Sequence, residues 1–267
     1  MCTCIESIFK LAMGSFGKAI PKEIAEKNLE LLIAQTDKLR SSDVCLESCS
    51  VFRPWQSDNK RRGPPPVTYI PVAKNKHISM GIFVIREGQN IPLHDHPNMH
   101  GLIKCIKGKL KITSYSKLES NSGVTTPDSF RRSASLVKKL RFGELFVAQM
   151  SSVTTVTPDS CPSLLSPSES NIHTIESVGG PAAFLDILAP PYNNQEKRDC
   201  HYFRVLSEPV VEDSPGLHWL MMCDSPASFY CPTEKYHGPT ISDSDSLLQP
   251  RLRHVEGMCM TCHRMGS

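Results

Sequence analysis

No stretch of this sequence approaches the ~20 consecutive apolar residues that carry a helix across a bilayer, so no membrane-spanning helix is expected. An excess of charge of either sign is also missing: 30 Lys and Arg face 27 Asp and Glu, a formal net charge of +3. The one basic cluster, Lys60-Arg61-Arg62, leads into Gly63-Pro64-Pro65-Pro66 and reads as a solvated loop. Without a broad basic face to neutralise phosphates, nucleic acid is not the expected partner. The N-terminus carries Glu6, Lys10 and Lys18 and no sustained apolar run, so no leader peptide is predicted. The eleven cysteines therefore read as reduced thiols of a cytoplasmic or nuclear protein, not as a disulfide framework. Cys259-x-x-Cys262-His263 lacks a second cysteine pair at zinc-finger spacing and reads as part of a flexible tail.

What is present is a soluble, globular composition over 267 residues, 39% hydrophobic and 21% charged. Residues 20–40 carry a helical period. Pro21 suits a first turn and Glu23 the positive end of the dipole, with Ile24, Leu32 and Leu39 near one face and Ala25, Leu29 and Ile33 beside them. Residues 1–66 are read as this helix and a Pro-rich connector. From about residue 68 the period becomes that of strands, at 80–86, in two runs over 102–115 broken at Lys107-Gly108, and at 145–150, 182–188, 200–206 and 217–223. In the second of the two runs Leu110 and Ile112 face one way, and Lys109, Lys111 and Thr113 the other. Residues 116–141 are polar and Ser-rich, a long surface loop. Many short strands with little helix predict an all-β jelly-roll barrel over residues 67–241. Residues 242–267 have no period and are expected to be disordered.

The chemistry concentrates at His94-Asp95-His96. Side chains two apart on an extended segment project to one side, so the two imidazoles can hold adjacent positions of one metal ion while Asp95 turns away. For a third ligand the sequence offers His100, His173, His201 and His218. Three neutral imidazoles leave a divalent ion its full charge and favour an anionic incoming ligand such as a thiolate. A 2-oxo acid-dependent hydroxylase instead pairs histidine with a carboxylate, and here the second position is His96.

Gly88-x5-His94-x-His96 followed by Gly108 resembles the first metal motif of the cupins, except that the usual glutamate is replaced by His100 and Gly101. More specifically, His94-Asp95-His96-Pro97-x-Met99-His100-Gly101, then Phe184 to Tyr192 (FLDILAPPY), then Arg198-Asp199-Cys200-His201-Tyr202, resemble the 2-aminoethanethiol (cysteamine) dioxygenases and the plant cysteine oxidases. The likeness runs from about residue 25 to residue 240. It implies a cupin double-stranded β-helix and one mononuclear Fe(II) per chain, held by His94, His96 and His173. The implied reaction places both atoms of dioxygen on a thiol, giving a sulfinic acid. The substrate is cysteamine, the N-terminal cysteine of a protein, or both; oxidation of the latter can feed degradation and so sense oxygen. The resemblance also implies that Asp186 holds the substrate ammonium and that Tyr192 reaches a dioxygen-derived oxygen. Cys200 and Tyr202 match a pair that can form a thioether in animal members. A monomer is the default. The competing expectation is a cupin that binds metal or ligand without catalysis, against which stand Asp186 and the Pro-Pro-Tyr motif.

Overall fold

The computed structural model describes residues 3–17, 20–49, 52, 64–118, 145–209 and 216–241. The cysteine-bearing tail and the Lys60-Arg61-Arg62 cluster lie outside these residues, as does most of the predicted 116–141 loop.

Two helices lead the chain. Helix α1 (Cys4–Phe16) starts at Thr3, whose hydroxyl accepts the Glu6 amide, and buries Ile5, Ile8, Phe9 and Ala12 at helical spacing. It is not legible in the sequence, because Gly14 and scattered charge blur its short apolar stripe. Helix α2 (Lys22–Asp37) is the predicted one, but its buried stripe is Leu32 and Thr36, continued by Leu39. Ile24, expected on the buried face, is 52% exposed; it precedes the α1 contacts, which run from Asn28, donating to Gly14 O, to Gln35, at Cys4 Sγ.

Eleven strands follow among the described residues, all paired antiparallel: β1 (Val67–Lys74), β2 (Ser79–Ile85), β3 (Asn90–Asp95), β4 (His100–Lys107), β5 (Leu110–Lys117), β6 (Leu145–Val156), β7 (Ser163–Leu165), β8 (Ile172–Ser177), β9 (Ala182–Ala189), β10 (Tyr202–Pro209) and β11 (Leu217–Cys223). One sheet has the order β1-β2-β9-β4-β7, and the other, β10-β11-β6-β5-β8-β3, closes on itself where β10 meets β3. This is the double-stranded β-helix of the cupin type. The tight β4–β5 turn needs Gly108: its φ is +72°, and an added Cβ would lie 2.5 Å from the Pro181 carbonyl oxygen.

Strand β9 is buried along its whole length, and its two faces serve two cores. Ala183, Leu185, Ile187 and Ala189 pack with β2 and the helices. Ala182 and Phe184 face the barrel interior with Ile91, Ile103, Ile112 and Ile175. The alternation puts Asp186 on the interior face, the one charged residue of an otherwise apolar strand. The helical layer is tied down by Lys104 of β4. Its fully buried ammonium donates to Asp37 Oδ1 at 2.9 Å and to the Ser160 carbonyl at 2.6 Å, fixing the end of α2.

Candidate metal centre

His94 sits at the seam where the second sheet closes. It pairs with His173 of β8 on one side and with Tyr202 of β10 on the other. Directly opposed residues of an antiparallel pair point to the same face, so the register alone sets the His94 and His173 rings side by side. His96 follows one residue beyond β3. The three ring centroids form a triangle with every side 4.8 Å. One nitrogen of each ring lies within 4.8 Å of the other two, and the Nε2 atoms of His96 and His173 are 3.2 Å apart. The other three histidines weighed as ligands are engaged elsewhere. His100 stacks on Phe16 of α1 at 5.6 Å, His201 Nδ1 contacts Asp95 Oδ2 at 3.0 Å, and His218 lies edge-on to Tyr115.

Two rings are oriented from behind. His94 Nδ1 is 2.8 Å from the Pro92 carbonyl oxygen, so it must carry the proton, leaving the Nε2 lone pair free. The Tyr192 hydroxyl donates to the Asp95 carbonyl at 2.6 Å and stands 2.8 Å from His96 Nδ1, which therefore donates to the tyrosine oxygen. The His96 Nε2 lone pair is likewise free. Burial holds all three imidazoles below the ordinary histidine range, with repulsion between His96 and His173 adding to it. They are neutral at physiological pH, which is the ligating form.

These residues fit a metal ion. A first-row metal about 2.1 Å from two imidazole nitrogens separates them by about 3.0 Å at a right angle and about 3.4 Å at a tetrahedral one, and the observed 3.2 Å falls between. Hydrogen bonds that fix each ring from its far nitrogen are the usual support of metal-ligating histidines.

Asp186 lies on the interior face of β9, 8% exposed, and burial pushes its carboxyl up to about 7. Among the described residues no Lys, Arg or His forms an ion pair with it. Its field reaches both the Tyr69 and Tyr192 phenols. Tyr69 owes its position to Gly81, which stands opposite Asp186 across the β2–β9 pair. A Cβ on Gly81 would lie 2.2–2.5 Å from the Tyr69 ring and hydroxyl, so the missing side chain is the space the phenol fills. The Tyr69 ring packs on Phe83, which stacks on Phe184, the neighbour of Asp186 on the same face.

The strand predicted at 200–206 begins at Tyr202, so Cys200 lies just before β10 and not on it. Its thiol hydrogen-bonds with the Tyr192 hydroxyl. Tyr202 is inside the site, its ring 6.4 Å from His94 and 6.0 Å from Phe229. Residues 229–234 form a strap along β1. Tyr69 N donates to Pro232 O at 2.9 Å, and Glu234 N donates to Tyr69 O at 2.8 Å.

Three residues of the site were not expected from the sequence: Tyr69, Gly81 and Asn171, whose buried amide holds the main chain of His96. Only Asn171, two residues before His173, carried a usable signal, since a polar residue at the start of a strand beside a ligand invites a capping role.

The sequence has counterparts among known proteins. The PCO_ADO family model matches residues 35–241. A mouse protein named 2-aminoethanethiol dioxygenase is 33% identical over 254 residues, covering 90% of this chain and 97% of its own. A human protein of the same name is 38% identical over 188 residues, covering 66% of this chain and 69% of its own. Plant cysteine oxidase 1 of Arabidopsis thaliana is 29% identical over 257 residues, covering 90% and 81%. With most of its length matched by the family model and nearly all of the mouse relative aligned to it, this chain belongs to the PCO_ADO family.

Proposed function

We propose that this chain is an iron-dependent thiol dioxygenase. Its substrate is a thiol with a free amine close by: cysteamine, giving hypotaurine, or the N-terminal cysteine of a polypeptide, giving cysteine sulfinic acid. The reaction consumes one thiol and one dioxygen and leaves both oxygen atoms on sulfur. The observation that carries the reading is the cluster of His94, His96 and His173 together with a buried carboxylate, Asp186, whose field reaches Tyr192 behind His96 and which no basic side chain of the described residues neutralises.

Iron held by His94, His96 and His173 supplies the redox chemistry that joins dioxygen to sulfur. The side chains do the rest. Asp186 holds the substrate ammonium in a dry pocket, where a charge-assisted hydrogen bond is stronger than in water. Holding the amine there fixes how far the thiol reaches toward the histidines. Tyr192 orients His96, and Cys200 supports Tyr192. Phe184, Phe83 and Phe229 exclude water. One chain supplies all three ligands, which supports one iron per chain and a monomer as the working unit. None of the described cysteines is in a disulfide, which favours a reducing compartment, the cytoplasm or nucleus. No helix among the described residues is long and apolar enough to cross a membrane. Acting on protein N-termini, the enzyme would report oxygen level by marking its substrates for degradation.

The test is mass spectrometry of cysteamine and of a short peptide with a free N-terminal cysteine. Each is incubated with Fe(II)-loaded protein under nitrogen and then in air. A product heavier by two oxygen atoms, formed only in air, is expected. Iron bound with no gain on either thiol would overturn the dioxygenase and leave a metal-binding cupin.

A further inference from the structure

We infer that Asn171 is a positioning residue of the metal centre, replacing with its side chain a strand pairing that the backbone does not make. The inference rests on the metal-centre reading above and extends it to a residue that touches no ligand ring.

The β3–β8 ladder carries His94 opposite His173 and ends with Asp95 opposite Ile172. His96 is one residue past that end, so its backbone has no partner strand on β8. At that point the chain before β8 also turns aside: Ser170 has φ of 54°, in the left-handed region. The Asn171 side chain fills the gap. Its Oδ1 accepts from His96 N at 3.2 Å, and its Nδ2 donates to His96 O at 2.8 Å. A main-chain residue opposite His96 would offer the same donor and acceptor. The second Nδ2 proton goes to Ser166 O at 2.9 Å. Two carbonyl acceptors and one amide donor fix which way the carboxamide faces. Asn171 is buried, 8% exposed, so no water substitutes for it cheaply.

The amide joins the two halves of the site. It grips the backbone of His96 while standing two residues before His173, and the Nε2 atoms of those two rings are the pair at 3.2 Å. Tyr192 sets the rotation of the His96 ring, and Asn171 sets where its backbone sits. Without Asn171, the His96 main chain keeps, among the hydrogen bonds of the described residues, Met99 N donating to its carbonyl, and no side chain next to β8 holds it in register with His173.

The variants are Asn171→Ala, and Asn171→Asp as the isosteric change that keeps the acceptor but loses both donors. Each is titrated with Co(II) anaerobically, following the visible d–d bands, while unfolding of the metal-free protein is measured separately. Co(II) affinity is expected to fall roughly 10–100-fold in both, as for the loss of other outer-shell partners, with an altered band pattern. This should hold at temperatures where the metal-free variants remain folded. Lower stability with unchanged affinity and spectrum would make Asn171 merely structural and overturn the inference. If Asn171→Ala fails to fold, Asn171→Asp decides by the same criteria. Wild-type protein that binds no Co(II) would overturn the metal-centre reading itself, and this inference with it.

Discussion

Asp186→Asn isolates what the buried carboxylate does. Burial raises the folded-state carboxyl from 3.8 to about 7. A raised acid adds stability in its protonated form, and that stability is lost as pH rises through the folded value. At about 1.4 kcal/mol per pH unit, the two units between pH 7 and pH 5 amount to roughly 3 kcal/mol. Metal-free wild type should therefore lose about that much stability through Asp186 between pH 5 and pH 8, while the Asp186→Asn variant has no proton to lose at that position. The three histidines work in the opposite sense. Burial lowers them from 6.5, so stability falls as pH drops below that value and the unfolded chain takes up protons. Both proteins share the histidines, so the difference between wild type and variant at each pH reports Asp186 alone. Any fixed cost of burying the new amide also cancels from the slope. Urea unfolding followed by circular dichroism at pH 5, 6, 7 and 8 measures this difference. A difference that stays constant from pH 5 to pH 8 would refute the burial argument. The same variant should raise KM for cysteamine and leave an amine-free thiol nearly unaffected. In wild type, amine capture should improve as pH rises toward 7, and the bound ammonium should pull that midpoint lower.

Three further perturbations test the surrounding structure. His173→Ala should lose metal and activity together, read by elemental analysis of protein loaded anaerobically; retained metal would mean that another side chain completes the site. Gly81→Ala places a methyl group inside the Tyr69 ring and should destabilise the fold by about 1–3 kcal/mol, with KM for cysteamine raised because Tyr69 moves from beside Asp186. Asp37→Ala takes a carboxylate from the buried Lys104 ammonium and should lower stability by about 1.5–3 kcal/mol. Sulfinate formation per bound metal should not change in Asp37→Ala, because Lys104 faces the helices and not the barrel interior.

Local pattern carried much of the fold. The 217–223 run matched β11 residue for residue, and the alternation of Leu110 and Ile112 with Lys111 and Thr113 reappears as buried and half-buried positions on β5. Short or interrupted elements escaped. Helix α1 is covered by its partner and carries only a brief apolar stripe, and β7 has three residues. In the site, His94 and His96 were legible because two-residue spacing has a geometric meaning in a strand. His173 was not, since no spacing links β3 to β8; only the resemblance singled it out, and the antiparallel register explains why it is there. Tyr69 and Gly81 were illegible for a deeper reason. Their meaning lies in a ring two strands from Asp186 filling the space of the Cβ that Gly81, opposite Asp186, lacks, and such complementarity leaves no trace along the chain.

Tyr192 is where resemblance and geometry assign different tasks. The resemblance sets its hydroxyl on the oxygen side of the reaction. In the structure its proton goes to the Asp95 carbonyl at 2.6 Å and its oxygen faces His96 Nδ1 at 2.8 Å, behind the ring and away from the ligand triangle. A phenol has one proton to give, so contact with a reacting oxygen would require it to leave Asp95. Burial and nearby Cys200, Asp95 and Asp186 push its ionisation well above the ordinary tyrosine range, so it acts as a neutral phenol. Tyr192→Phe keeps the ring packed and removes only the hydroxyl. If its task is to orient His96, metal affinity should fall about tenfold or more, while the ratio of dioxygen consumed to sulfinate formed stays at wild-type level in the metal-saturated enzyme. If affinity were unchanged and dioxygen were consumed without sulfinate, the hydroxyl would belong to the oxygen side, and the orienting role would be wrong. An oxygen electrode run beside product quantification separates the two.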